Sequence, residues 1–222
     1  QYLEQALEKD AKFASAHATL ASPLRFRYAF GFERKPEVLV RAKEHTVRAL
    51  EISPMHPEGM LMQGLLHREE GRLKEAIETM LKDYQANPND AQCLYYLGNS
   101  YRDAGYWTKA IEFHKRAFEI EPFYFANAYN LAGDYWTLGK PEEVNRYADK
   151  AITLDPQNFL GFLMKSYGLV NSRDESEALA YLAKAIAAEP NHVDTYGSRS
   201  EVYKQFGRFE EAQKDIQYLM GK

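Results

Sequence analysis

The sequence predicts an all-α fold, a solenoid of antiparallel helix pairs, and three observations predict it. Proline returns every 34 residues, at Pro54, Pro88, Pro122, Pro156 and Pro190. Glycine keeps that interval at Gly71, Gly105, Gly139 and Gly207, with Arg173 standing in once. Small residues keep it too, at Ala42, Ala76, Ala110, Ala178 and Ala212, with Val144 in the remaining slot. A period of about 34 residues marks stacked helix-turn-helix units that bury their apolar faces against neighbouring units.

Each recurrence has a physical cause. Glycine suits the left-handed residue that ends a helix. Proline has no N–H to donate and clashes with a continuing helix, so it closes each second helix. Small residues such as Gly64, Gly98, Ala132, Ala76 and Ala110 fall where the two helices of a pair must approach closely.

The elements follow in order. Residues 1–12 read as the second helix of a half repeat, with Ala6 in the slot held later by Ala49, Ala117, Ala151 and Ala185. The unit 14–54 exceeds the period by about seven residues, around Phe26–Lys35. That surplus predicts a lengthened first helix and a longer loop before Pro36, which suits a helix start. Regular units follow at 57–88, 91–122, 125–156 and 159–190, and the last spans 193–219. The whole, 1–222, is read as one domain of about six full repeats plus the half repeat. The connection Asn171–Ser176 is the least regular and is expected to be the most flexible.

At these residues the sequence resembles the tetratricopeptide repeat family. The family pattern of apolar, leucine-glycine, tyrosine, alanine, aromatic, alanine and proline becomes Leu94, Leu97-Gly98, Tyr101, Ala110, His114, Ala117 and Pro122. The next copy gives Ala128, Leu131-Ala132, Tyr135, Val144, Ala148, Ala151 and Pro156. The resemblance implies a right-handed superhelix whose first helices line a concave surface. The chain starts at Gln1 inside a helix, so the expectation is a piece of a longer protein. The stretch ASPLRFRYAFGF is similar in style to arrays that trail bacterial cyclases, kinases and transcription regulators.

Composition narrows the function classes. A net charge of −4 favours neither nucleic acid nor an anionic membrane as partner. No apolar run approaches the roughly 18 residues of a membrane span. The single cysteine, Cys93, excludes an internal disulfide and suits a reducing, cytoplasmic setting. No phosphate-binding glycine loop, H-E-x-x-H or cysteine pair is present. The six histidines are scattered, with His67 and His114 in slots that aromatics hold in sibling units. Acid pairs such as Glu142-Glu143 lie at helix starts, where the dipole favours them. No enzyme, metal or cofactor is expected.

Helical spacing selects the side chains of the inner face. In successive units they are Leu61, Met62 and Arg68; Tyr95, Tyr96, Asn99 and Arg102; Tyr129, Asn130 and Trp136; Leu163, Met164 and Tyr167. Aromatic and thioether side chains are typical of interaction surfaces, and an amide can bond an extended peptide backbone. Relatives that clamp chaperone tails hold the paired carboxylates with lysine and arginine. The matching slots here are Tyr95 and Asn99, then Asn130, then Leu160 and Met164, so the basic residues are missing. A carboxylate pair would meet no compensating charge.

The expected function is a protein-interaction scaffold holding a partner peptide or helix in the concave groove. The alternative is an oligomerisation or spacer arm of a larger regulatory protein, forming a homodimer through its terminal repeats. There the final helix retains Ile216, Leu219 and Met220.

Overall fold

The computed structural model describes residues 2–29, 31–33, 35–171 and 173–221, the side chain of Asn171 excepted. Ser172, within the connection expected to be flexible, lies outside the described residues. Every regular element among the described residues is a helix, so the all-α expectation holds. In chain order they are α1 (Tyr2–Lys9), α2 (Ala14–Ala29), α3 (Pro36–Ile52), α4 (Pro57–Glu69), α5 (Leu73–Ala86), α6 (Ala91–Asp103) and α7 (Trp107–Ile120). Then come α8 (Phe125–Thr137), α9 (Pro141–Leu154), α10 (Phe159–Asn171), α11 (Glu175–Ala188), α12 (Val193–Gln205) and α13 (Phe209–Met220). First helices start at 57, 91, 125, 159 and 193, and second helices at 73, 107, 141, 175 and 209, each 34 apart.

The turn inside each pair is made by one residue in the left-handed region. Gly71, Gly105, Gly139 and Gly207 have φ between 63° and 81°, and Arg173 has φ 60°. The residue after each donates back across the turn: Tyr106 N to Tyr101 O at 2.8 Å, Asp174 N to Leu169 O at 3.0 Å. This satisfies carbonyls that the helix end would leave open. Arginine therefore adopts the glycine geometry, at the steric cost of a Cβ. In the long second unit, α2 has 16 residues and α3 begins at Pro36, with Pro at its first position.

The chain divides into two compact units, residues 1–113 and 114–222, and the division falls inside α7. The repeat period implies one domain over 1–222. An array in which each repeat touches only its neighbours has no global core to forbid such a division.

In the first unit α2 lies against α3 and α4 against α5, with α2, α4 and α6 as successive neighbours. In the second, α8 pairs with α9, α10 with α11 and α12 with α13, and α10 touches both α8 and α12. The small slots are sealed: Ala42, Ala76, Ala110, Val144 and Ala178 are all 0% exposed. A Cβ on Gly64 would sit 2.7 Å from Met80, so α4 and α5 approach as closely as glycine permits.

An aromatic triad repeats in both units. In the first, Tyr101 stacks on Phe113 at 5.4 Å and 4°, and Tyr84 meets Phe113 edge-on at 89°. Thirty-four residues on, Tyr135 stacks on Tyr147 at 5.7 Å and 9°, and Phe118 meets Tyr147 edge-on at 90°. Such offset and edge pairs add roughly 0.5–1.5 kcal/mol beyond area burial.

Candidate functional site

The first helices were expected to present the interaction face, and the structure sorts the named residues. Leu61, Met62, Leu163 and Met164 are 3–6% exposed and serve the core of their units. Asn99 and Asn130 are each 4% exposed, so neither amide is open to an incoming peptide backbone. Asn99 Oδ1 accepts from Arg102 Nη2 at 2.6 Å, the two side chains lying one turn apart on α6. Both amides of the expected face are therefore turned inward, while its rings and the two arginines stay partly open.

In the first unit, Tyr95 and Tyr96 are half-buried and meet edge-on at 5.0 Å. The Arg25 guanidinium of α2 lies 5.7 Å from the centre of the Tyr96 ring. Arg25 Nε also approaches Glu69 Oε1 to 2.8 Å, close enough for an ion pair though out of line for a hydrogen bond. Burial pushes the Glu69 carboxyl up from its ordinary range, and the Arg25 charge opposes that shift. Arg68 Nε donates to Asp103 Oδ2 at 2.6 Å. The arginines of this face are thus engaged with residues of the first helices, Arg25 and Arg68 across to a neighbouring helix and Arg102 within α6.

In the second unit, Trp136 is 46% exposed. Its ring stacks on Tyr167 at 5.2 Å and 25°. The Tyr167 hydroxyl lies 2.6 Å from Ser198 Oγ, and that hydroxyl in turn donates to Asp194 O at 2.7 Å. Burial raises the Tyr167 phenol, so it remains a neutral hydrogen-bonding group. Trp136, Tyr167 and Ser198 come from α8, α10 and α12, three consecutive first helices. Phe125 and Tyr129 stack at 6.0 Å on α8. The result is a large ring half packed and half in water.

Two further features were not anticipated. His114 and Asp134 are both fully buried, with Nδ1 2.5 Å from Oδ2, between α7 and α8. Each occupies a core slot, and two polar residues in facing core slots are the signal that would have revealed them. Second, an apolar groove of about 380 Å³ lies between α7 and α9, on the second helices, lined by Phe118, Phe123 and Leu154 among others. Phe123 is 86% exposed there. Among the described residues, no three His, Cys, Asp or Glu side chains converge as a metal site would need. No helix among them is long and apolar enough to cross a membrane.

These features define a helical-repeat protein with aromatic faces on its first helices. Residues 61–124 match the tetratricopeptide repeat family. Residues 61–124 are thus tetratricopeptide repeats, and the flanking units continue their 34-residue period. The fold of the chain is similar to that of a tetratricopeptide repeat protein from Parabacteroides merdae, with a TM-score of 0.76 and 17% identity over 92% of this chain and 79% of that one. It is likewise similar to pilF of Pseudomonas aeruginosa, with a TM-score of 0.74 and 18% identity over 93% and 90% of the two chains. YrrB, described as a TPR protein with an unusual peptide-binding site, gives a TM-score of 0.66 and 18% identity over 90% and 98%. Comparison with curated proteins gives no match.

Proposed function

We propose that this chain is a protein-interaction scaffold that holds a partner segment against the inner faces of its first helices. One observation carries the reading: Trp136 stands 46% exposed while stacked on a hydrogen-bonded Tyr167. The half of the ring that stacking leaves in water is apolar surface that a partner can cover. Placed in a partner contact, such a ring loses little conformational freedom and desolvates a large area. Tyr95 and Tyr96 offer the same chemistry in the first unit. YrrB supports the reading by analogy of fold alone.

The test is enrichment of peptides from an immobilised library by the full chain and by Tyr95→Ala and Trp136→Ala. Enrichment that falls in the variants while far-UV circular dichroism is unchanged supports the proposal. Enrichment unaffected by both substitutions removes the first helices from the account.

A second reading rests on α13, where Phe209 is 69% and Met220 73% exposed. In it the helix joins two copies. Sedimentation over a range of concentrations separates the two readings.

A further inference from the structure

The second unit contains a hollow beside a slot where the other repeats carry a large side chain. Gly197 lies in the interior of α12. Counting back by 34, the same slot holds Leu163, Tyr129, Tyr95 and Leu61. Glycine in a helix interior costs roughly 0.5–1 kcal/mol relative to alanine. Close helix contact usually explains that cost, as at Gly64. Here it does not, because a Cβ on Gly197 would meet nothing within 4 Å. Beside it lies an open hollow of about 450 Å³, lined by Tyr167, Val193, Asp194, Gly197, Ser198 and Leu219.

The walls decide what enters. Val193, Leu219 and the Tyr167 ring are apolar. The Ser198 hydroxyl is already used, donating to Asp194 O and meeting the Tyr167 hydroxyl. The remaining open polar group is the Asp194 carboxylate, whose side chain is 72% exposed, with His192 Nδ1 3.8 Å away. The cations that α12 carries are committed elsewhere: Arg199 donates to both Asp215 oxygens at 2.9 and 2.7 Å, and Lys204 lies 3.3 Å from Glu201. The hollow therefore has an apolar shaft and an anionic rim.

We propose that the Gly197 hollow receives a lysine or arginine side chain of the bound partner segment. The methylene stem lies along Tyr167, Val193 and Leu219, and the charged head meets Asp194. Long basic side chains divide their polarity in this way. The proposal rests on the groove reading above and adds the chemistry of one partner position.

The probe is a library of decapeptides blocked at both ends, presented to the full chain. Variants are Gly197→Leu, which restores the sibling residue, Asp194→Asn and Trp136→Ala. The expected result is that wild type enriches peptides with a basic residue at one fixed position. Gly197→Leu abolishes that preference while still binding peptides. Asp194→Asn weakens a selected basic peptide roughly tenfold, the scale of one charge-assisted hydrogen bond. Replacing lysine by arginine in that peptide decides which head fits better. Three results overturn the proposal: peptides enriched without a basic preference, a preference for apolar residues at that position, or a basic preference that survives Gly197→Leu. In all three the groove reading stands. Wild type that enriches no peptide overturns both.

Discussion

Asp83 gives the sharpest test of the packing. It lies on α5 in the slot that Ala49, Ala117, Ala151 and Ala185 hold, and all four of those alanines are 0% exposed. Asp83 is 1% exposed, and neither carboxylate oxygen has a hydrogen bond of ordinary geometry, because the Cys93 thiol beside it donates to Met80 O at 3.5 Å. Burial pushes its carboxyl up from the ordinary range, the Asp90 charge adds to this, and the Cys93 thiol opposes it. Removing the carboxylate should release the desolvation cost of a buried, unpartnered polar group, about 1–3 kcal/mol. Alanine already fits this slot in the siblings, so the cavity left behind should be small. Asp83→Ala should therefore stabilise the protein at neutral pH. At about 2–4 °C per kcal/mol for a chain of this size, the melting temperature should rise by roughly 2–12 °C. The pH dependence has a definite sign. A carboxyl whose folded-state pKa is raised binds its proton more tightly when folded. Its favourable contribution is complete below the unfolded pKa, roughly 4, and is lost as pH rises through the folded value. The gap between variant and wild type should thus shrink as pH falls from 7 towards 4. Thermal melts followed by circular dichroism at several pH values read this directly. An Asp83→Ala protein that melts below wild type at pH 7, or a gap indifferent to pH, refutes the reasoning.

Three other predictions use the same assay. Arg173→Gly should stabilise by about 1 kcal/mol, since glycine takes the left-handed turn without the Cβ penalty; a loss of stability would show that the Arg173 side chain outweighs the backbone term. Ala110→Leu should cost roughly 1–3 kcal/mol by overpacking a sealed site, and an unchanged melting temperature would contradict the packing described. Asp134→Ala should cost about 1–3 kcal/mol by removing the carboxylate that faces the buried His114 Nδ1. A double-mutant cycle with His114→Leu should then show coupling, and strict additivity would deny the contact.

The helices were legible because their punctuation is local. Proline and glycine act through their own backbone, and the turn residue of each pair could be read from one position, even where arginine stands in. The inner face was only partly legible. Helical spacing gives the direction of a side chain along its own helix, but neighbouring helices decide whether it stays exposed. Asn99 and Asn130 carry the right spacing and are nonetheless buried. Trp136 and Tyr167 were each named, yet their stacking across two helices has no signature in either segment. Asp83 and the His114–Asp134 pair could have been found by asking which core slots carry a polar residue that siblings lack. Gly197 could have been found by asking which inner slot lacks the large residue its siblings have.

Photo-crosslinking tests the central claim most directly. A library-selected peptide carrying a benzophenone is irradiated with the full chain, and the adducts are mapped by mass spectrometry. The account predicts adducts on the first helices, around Trp136 and Tyr167 of α8 and α10. Adducts confined to the second helices, in the groove of Phe118, Phe123 and Leu154, would contradict it.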